Sequence, residues 1–115
     1  MLNLNHKILR RIALINLLGS LDPSDARYLI LFMAEGIVAT IKDGRVSVDT
    51  AEKMLFNLDV HLFCKKVLKD SKLRNIIERG MELEDVNQIT RNDGAIGRAC
   101  TDMQKLMDDI HIKML

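Results

Sequence analysis

Residues 36–56, GIVATIKDGRVSVDTAEKMLF, constrain the fold more than any other stretch. They read as the end of one helix, a tight turn and a capped second helix. Ile37, Thr40 and Ile41 finish a helical apolar stripe. Lys42-Asp43-Gly44-Arg45 is turn chemistry, because Gly44 can take a positive φ without a Cβ clash. Val46 and Val48 flank Ser47 in a short extended piece. Ser47 or Asp49 can then cap the next helix by accepting from one of its free N–H groups. Ala51, Met54 and Leu55 form that helix's apolar face.

The rest of the chain continues the same pattern. Ile8, Leu9, Ile12, Ile15 and Leu18 recur at helical spacing over residues 4–18, and Ala13, Leu14 and Leu17 widen the stripe. The spacing predicts a central, mostly covered helix. Asp22-Pro23 restarts the chain as N-cap and first helical residue. The second helix runs to about Ile41, with Leu29, Phe32, Met33, Gly36, Ile37 and Thr40 on one face. Gly36 inside it costs about 1 kcal/mol against Ala, which predicts close approach of another backbone. Asn57 breaks the pattern and Asp59 caps a helix with Val60, Phe63, Cys64, Val67 and Leu68 inward. Ser71 restarts the chain again, Gly80 ends or kinks that helix, and Leu83, Val86 and Ile89 fit a separate short one. Thr90 to Gly94 reads as a loop. The last helix, 95–113, carries Ile96, Cys100, Met103, Met107 and Ile110 on one face.

These segments predict an all-α chain, one compact domain of six or seven helices spanning residues 1–115. Apolar residues make up 48% of the chain but aromatics only 3%, so the core is aliphatic and methionine-rich. A net charge of +1 gives no global field that would draw nucleic acid or a membrane surface. No segment approaches the about 18–20 apolar residues of a membrane span. Lys7, Arg10 and Arg11 before the apolar run 12–18 have the order of a signal peptide, but no small-x-small site follows. Two cysteines far apart fit reduced thiols and a cytoplasmic location.

Few residues suggest chemistry. Aligning Gly44 with the glycine of a calcium-binding loop leaves Ala39, Ile41 and Thr50 where oxygen ligands belong, so a turn glycine is the better reading. His61, Cys64, Cys100 and His111 are soft ligands in number enough for zinc. Cys64 and Cys100 fall on apolar stripes, however, so buried inert thiols are expected, with no metal and no other cofactor. Nothing orients a Cys–His pair for nucleophilic attack and no glycine-rich phosphate cradle is present, so an enzyme is not expected. Charge is sorted locally. Lys65, Lys66, Lys69, Lys72 and Arg74 form a basic strip diluted by Asp70, and Glu78, Glu82, Glu84 and Asp85 an acidic strip after it. Glu78, Glu82 and Asp85 share one helical face, with Glu84 to one side. The strips either compensate each other in solvent or recognise a charged partner.

Two stretches resemble a known pattern. GIVATIKDGRVSVDTAEKMLFN is similar to G-x-x-x-x-hydrophobic-x-x-G-x-hydrophobic-S-x-x-x-A-E-x-x-L-F, and IIERGMELEDVNQI to I-x-x-G-x-E-L-E-D-hydrophobic. Together, over about residues 28–90, they resemble a family of short, functionally uncharacterised bacterial proteins. The chain departs from that family after Phe56, where Asn57-Leu58-Asp59 replaces a Pro-containing turn. The resemblance implies a bacterial, cytoplasmic, helical protein and no particular activity. By analogy with small bacterial proteins of this kind, it suggests an immunity protein of a contact-dependent growth inhibition system. Such a protein would bind and neutralise a toxin domain, expected here to be a basic nuclease held by Glu78, Glu82, Glu84 and Asp85, with no direct contact to nucleic acid. The alternative is a non-catalytic structural or regulatory module, a homodimer through the last helix.

Overall fold

A computed structural model describes the backbone of residues 6–90 and 94–114, and side chains within 12–86 and 94–111. The described residues form α-helices and one π-helical turn, with no strand: α1 (His6–Ser20), α2 (Pro23–Lys42), α3 (Val48–Met54), α4 (Leu58–Leu62) running on into the π-turn (Phe63–Val67), α5 (Ser71–Thr90) and α6 (Ala95–Met114). The all-α expectation holds. The molecule is a slab of 47 × 41 × 21 Å, its short dimension close to two helix layers at about 10 Å spacing.

The turn at 42–47 forms as the sequence predicts. Gly44 has φ +77°, and Gly44 N–H donates to Ile41 O at 3.0 Å while Arg45 N–H donates to Thr40 O at 2.8 Å. This Schellman pairing satisfies the last carbonyls of α2. Ser47 is the cap of α3, its Oγ accepting from Thr50 N–H at 3.1 Å. The extended piece shrinks to Ser47 itself, since Val48 is already the first residue of α3.

Several local expectations are overturned. Asn57 is the N-cap of α4 in place of Asp59: its Oδ1 accepts from Val60 N–H at 3.1 Å, and its Nδ2 donates back to Glu52 O at 3.0 Å. One side chain thus closes α3 and opens α4, which is why a polar residue is tolerated at 4% exposure. Asp70 caps α5 one residue before Ser71, its Oδ1 accepting from Lys72 and Leu73 N–H at 3.1 Å each. Asp22 stands at the N-cap of α2 without a side-chain cap bond. The π-turn, where Leu68 N–H donates to Phe63 O, adds one residue to the turn and delays the helix phase. Leu68 is therefore buried, and Val67 faces out at 59% exposure.

Gly80 neither ends nor kinks a helix, and α5 runs through it to Thr90. A Cβ at Gly80 would sit 2.2 Å from Cγ of Phe56, a fully buried ring. The missing side chain is the space the ring occupies. Gly36 shows the reverse: it is exposed, with nothing within 4 Å of a Cβ, so the predicted close approach does not occur.

The phase of α2 differs from the sequence reading. Its inward face is Ala26, Ile30, Leu31, Ala34, Val38 and Ile41, while Phe32 and Gly36 point to solvent. α2 is apolar around much of its circumference, so periodicity alone could not fix which side is covered. Nor is α1 central. Leu18 is buried and Leu14 and Ile15 partly so, but Ile12 and Leu17 are each 49% exposed and Ala13 is exposed. It packs on α3 and α4 at the edge of the slab. α6 follows its predicted face, with Cys100, Met103, Met107 and Ile110 buried against α2 and α5.

The two glycines give opposite predictions. Gly80→Ala should lower the unfolding free energy by about 1–3 kcal/mol through overpacking against Phe56. Gly36→Ala should raise it by up to about 1 kcal/mol through helix propensity. Urea denaturation of the two variants in dilute solution checks both signs.

Candidate functional site: an acidic junction between α3 and α5

The two sequence stretches that resemble a family pattern meet in space. Ala51, Leu55 and Phe56 are fully buried where α3 packs on α5, and the Phe56 ring lies over Gly80. Above this apolar seam the carboxylates converge. Glu52 of α3 and Glu84 of α5 share a side-chain hydrogen bond, with Asp49 and Asp85 close enough to act on Glu84 by charge. The Glu84 acid is pushed above the usual carboxylate range, first by that bond and then by the Glu52 charge. Asp49 is also paired with Lys53, Nζ to Oδ2 2.7 Å, one turn along α3.

The acidic strip read from sequence is therefore divided. Glu78 leaves it: its Oε1 is 2.8 Å from His61 Nε2 and 3.5 Å from Arg74 Nε. The His61 hydrogen bond is the main cause holding its carboxyl below the usual range, with the His61, Arg74 and Lys65 charges behind it. Glu84 turns to α3. Glu82 and Asp85 remain exposed on α5. Glu82 lines a small cavity of about 90 Å³ beside α6, together with Arg79 and Asp102. What the sequence missed is the α3 half of the cluster, Asp49 and Glu52, because no spacing rule relates residues about thirty positions apart on different helices.

The basic strip is also broken up. Lys65, Lys66, Lys69 and Lys72 are exposed, whereas Arg74 is half-buried beside Glu78. Asp70 is held by Arg27 of α2, Nε to Oδ2 3.2 Å, and the same guanidinium donates from Nη2 to Leu68 O at 2.9 Å. That arginine ties the end of the π-turn to α2.

The soft ligands do not converge. His61 is engaged with Glu78, and His111 Nε2 lies 2.6 Å from Glu35 Oε1 of α2. Among the described residues no group of three or more His, Cys, Asp or Glu is placed to hold a metal ion. Both cysteines are free and buried. Burial, with Asp70 adding to it, pushes the Cys64 thiol up to about 12. Burial also raises the Cys100 thiol, against a smaller opposing effect of Lys42. A cavity of about 310 Å³ opens between α1 and α4, lined by Ile12, Ile15, Asn16, Asp59 and Leu62. Asp59 is the titratable group among the described residues of that lining.

Among the described residues no helix is long and apolar enough to cross a membrane. What the fold and the junction define is an all-helical domain with an acidic face. The chain belongs to the family described as "Protein of unknown function (DUF3969)", whose model matches residues 22–112. The match begins after α1. No curated protein and no solved structure matches the chain.

Two predictions follow from these environments. Glu78, depressed, contributes stability that is present above the ordinary glutamate pKa and lost as pH falls through its lowered value. Glu84, raised, contributes stability that is present below that ordinary value and lost as pH rises through its raised one. Glu78→Gln should lower the melting temperature at neutral pH, and Glu84→Gln should leave it unchanged or raise it. Both differences should shrink in acid, as thermal melts across pH would show. Separately, both thiols should react with a thiol-specific reagent at the rate of unfolding in native buffer, and at once in denaturant. Fast native labelling of either would contradict their burial.

Proposed function

We propose that the chain is a non-catalytic inhibitor, an immunity protein that binds and neutralises a bacterial toxin domain, and that the acidic face on α3 and α5 is its contact surface. The observation that carries this reading is the crowding of Asp49, Glu52, Glu84 and Asp85, enough to push the Glu84 acid up. Like charges held together weaken the free protein, and a cationic partner relieves that repulsion on binding. A nuclease presents a basic groove for phosphates, so carboxylates on a rigid helical support can occupy it. Preorganisation comes from the Phe56–Gly80 seam beneath, which fixes α3 on α5. Glu82 and Asp85, exposed and on one side of α5, would steer the encounter. Glu78, already engaged by His61 and Arg74, contributes less than the sequence reading assigns to it. The apolar stripe of α6, Cys100, Met103, Met107 and Ile110, is buried inside the chain.

The test is co-expression with a toxic nuclease domain, taken from a large secreted protein where one is encoded beside this chain. The wild type should protect the cells and bind the purified domain faster as salt is lowered. The double variant Glu82→Lys/Asp85→Lys should keep its helical circular dichroism and lose protection. Its association rate should fall by about 10-fold or more at low salt, with a weaker salt dependence. A folded double variant that still protects fully would remove this face from the proposal. A chain that never protects would remove the immunity reading.

A further inference from the structure

The cavity of about 310 Å³ between α1 and α4 lies at the low end of the size of small-molecule sites, about 300–1,000 Å³. Two short stripes meet across it. Ile12, Ile15 and Asn16 stand at i, i+3 and i+4 on α1, and Asp59 and Leu62 at i and i+3 on α4. Helical spacing therefore turns three branched aliphatic side chains and two polar ones onto one space. The core does not use up the aliphatic ones. Ile12 is 49% exposed, and Ile15 and Leu62 are half-buried. Leu58, one turn before Leu62, is also exposed and extends the apolar edge. The polar pair is uncommitted. Asp59 stands where the sequence expects the cap of α4, but Asn57 accepts that bond from Val60 N–H. Among the described residues the Asp59 carboxylate has neither a hydrogen bond nor an ion pair, and the Asn16 amide has no partner either. Asp49, Asp70, Glu78 and Glu35, by contrast, each face a basic side chain. No Lys or Arg stands among the described residues of the lining. Asp59 is thus an unbalanced negative charge beside an apolar space.

We propose that this cavity binds a small primary aliphatic amine, a molecule with a short apolar body and one ammonium group. The body covers Ile12, Ile15 and Leu62, and taking that area out of water favours the complex. The ammonium brings several N–H donors and no acceptor. The Asp59 carboxylate accepts one of them in a charge-assisted bond, and the Asn16 amide oxygen accepts another. The remaining donor keeps its contact with solvent at the mouth. Other chemistries fit less well. An anion of the same length meets Asp59 with the wrong sign and finds no described cation in the lining. A neutral alcohol fills the same space, but it partly desolvates Asp59 without neutralising it, which costs affinity. Charge complementarity therefore selects the amine, and the apolar walls select one that carries a hydrocarbon chain. The site shares no residue with the α3 and α5 carboxylates, so it stands or falls independently of the inhibitor reading.

The probe is n-hexylamine, which is an ammonium at neutral pH, with n-hexanol and hexanoate as controls of the same chain length. Each is titrated into the isotope-labelled full chain at fixed pH and ionic strength and followed by amide chemical shifts. The amine should saturate with a dissociation constant of about 1 mM, as suits so small a ligand. The shifts should centre on Ile12, Ile15, Asn16, Asp59 and Leu62. The alcohol should bind about 3-fold more weakly, and the carboxylate more weakly still. Asp59→Asn, at an exposed position, should keep the helical circular dichroism, weaken the amine by about 3-fold and leave the alcohol unchanged. Ile12→Ser, also exposed, should weaken amine and alcohol alike by about 2-fold or more. Equal affinity for amine and alcohol, or amine affinity untouched by Asp59→Asn, overturns the assignment of an amine. Shifts that do not saturate up to about 20 mM, or that centre on Glu82 and Asp85, overturn the site and mark the amine as an adventitious additive only.

Discussion

The contact on which the rest depends is the Phe56 ring lying against the bare Cα of Gly80. A benzyl side chain needs space that a helix surface lacks, and one missing methyl group in α5 provides it. The seating fixes the short helix α3, too short to be stable alone, onto the long helix α5. It also sets where the chain can turn. Phe56 is followed at once by Asn57, whose amide bonds to both flanking helices, so the reversal between α3 and α4 is built from one buried ring and one buried amide. Everything at the acidic junction inherits its position from this seam, because Glu52 and Glu84 are brought together by the packing beneath them.

α2 is the wall shared by the other elements. Its inward residues pack on α6, α5 and α3, and Arg27 reaches the end of the π-turn, where it meets both a carboxylate and a backbone carbonyl. That contact accounts for a local oddity. Lys69 holds a positive φ of 50° between the π-turn and α5, and on either side of it Leu68 O and the Asp70 carboxylate are bound by the same guanidinium. A planar fork with several donors suits this task in a way a lysine ammonium would not.

The two carboxylate environments on α5 show how one helix can carry opposite electrostatics. Glu78 and Glu84 stand six positions apart. The first faces a histidine and an arginine, and its charged form is favoured. The second faces three other acids, and its charged form is disfavoured. Charge run along the sequence is thus a poor guide to potential at the surface. What matters is which neighbouring helix each residue turns toward, and screening by solvent moderates both effects because both groups are only partly buried.

Much of the backbone was legible in the sequence because it is governed locally. The α2 stop at Gly44, the Ser47 cap and the α6 face follow from φ preference, side-chain reach and helical period, each a matter of a few neighbouring residues. The all-α class follows from the same signals added together. The acidic strip was half legible: Glu82 and Asp85 are exposed where a helical wheel puts them, while Asp49 and Glu52 could join the cluster only once α3 was placed on α5. Gly80 and Gly36 could not be told apart from sequence, since both read as a helix weakness, and only a ring from another element distinguishes a packing notch from an open surface. The same holds for the phase of α2 and the position of α1, which are apolar on more than one side. The sequence determined that these helices would bury something; which side they bury was decided by the neighbours the tertiary fold supplied, because burial energy depends on apolar area covered and takes no account of which stripe covers it.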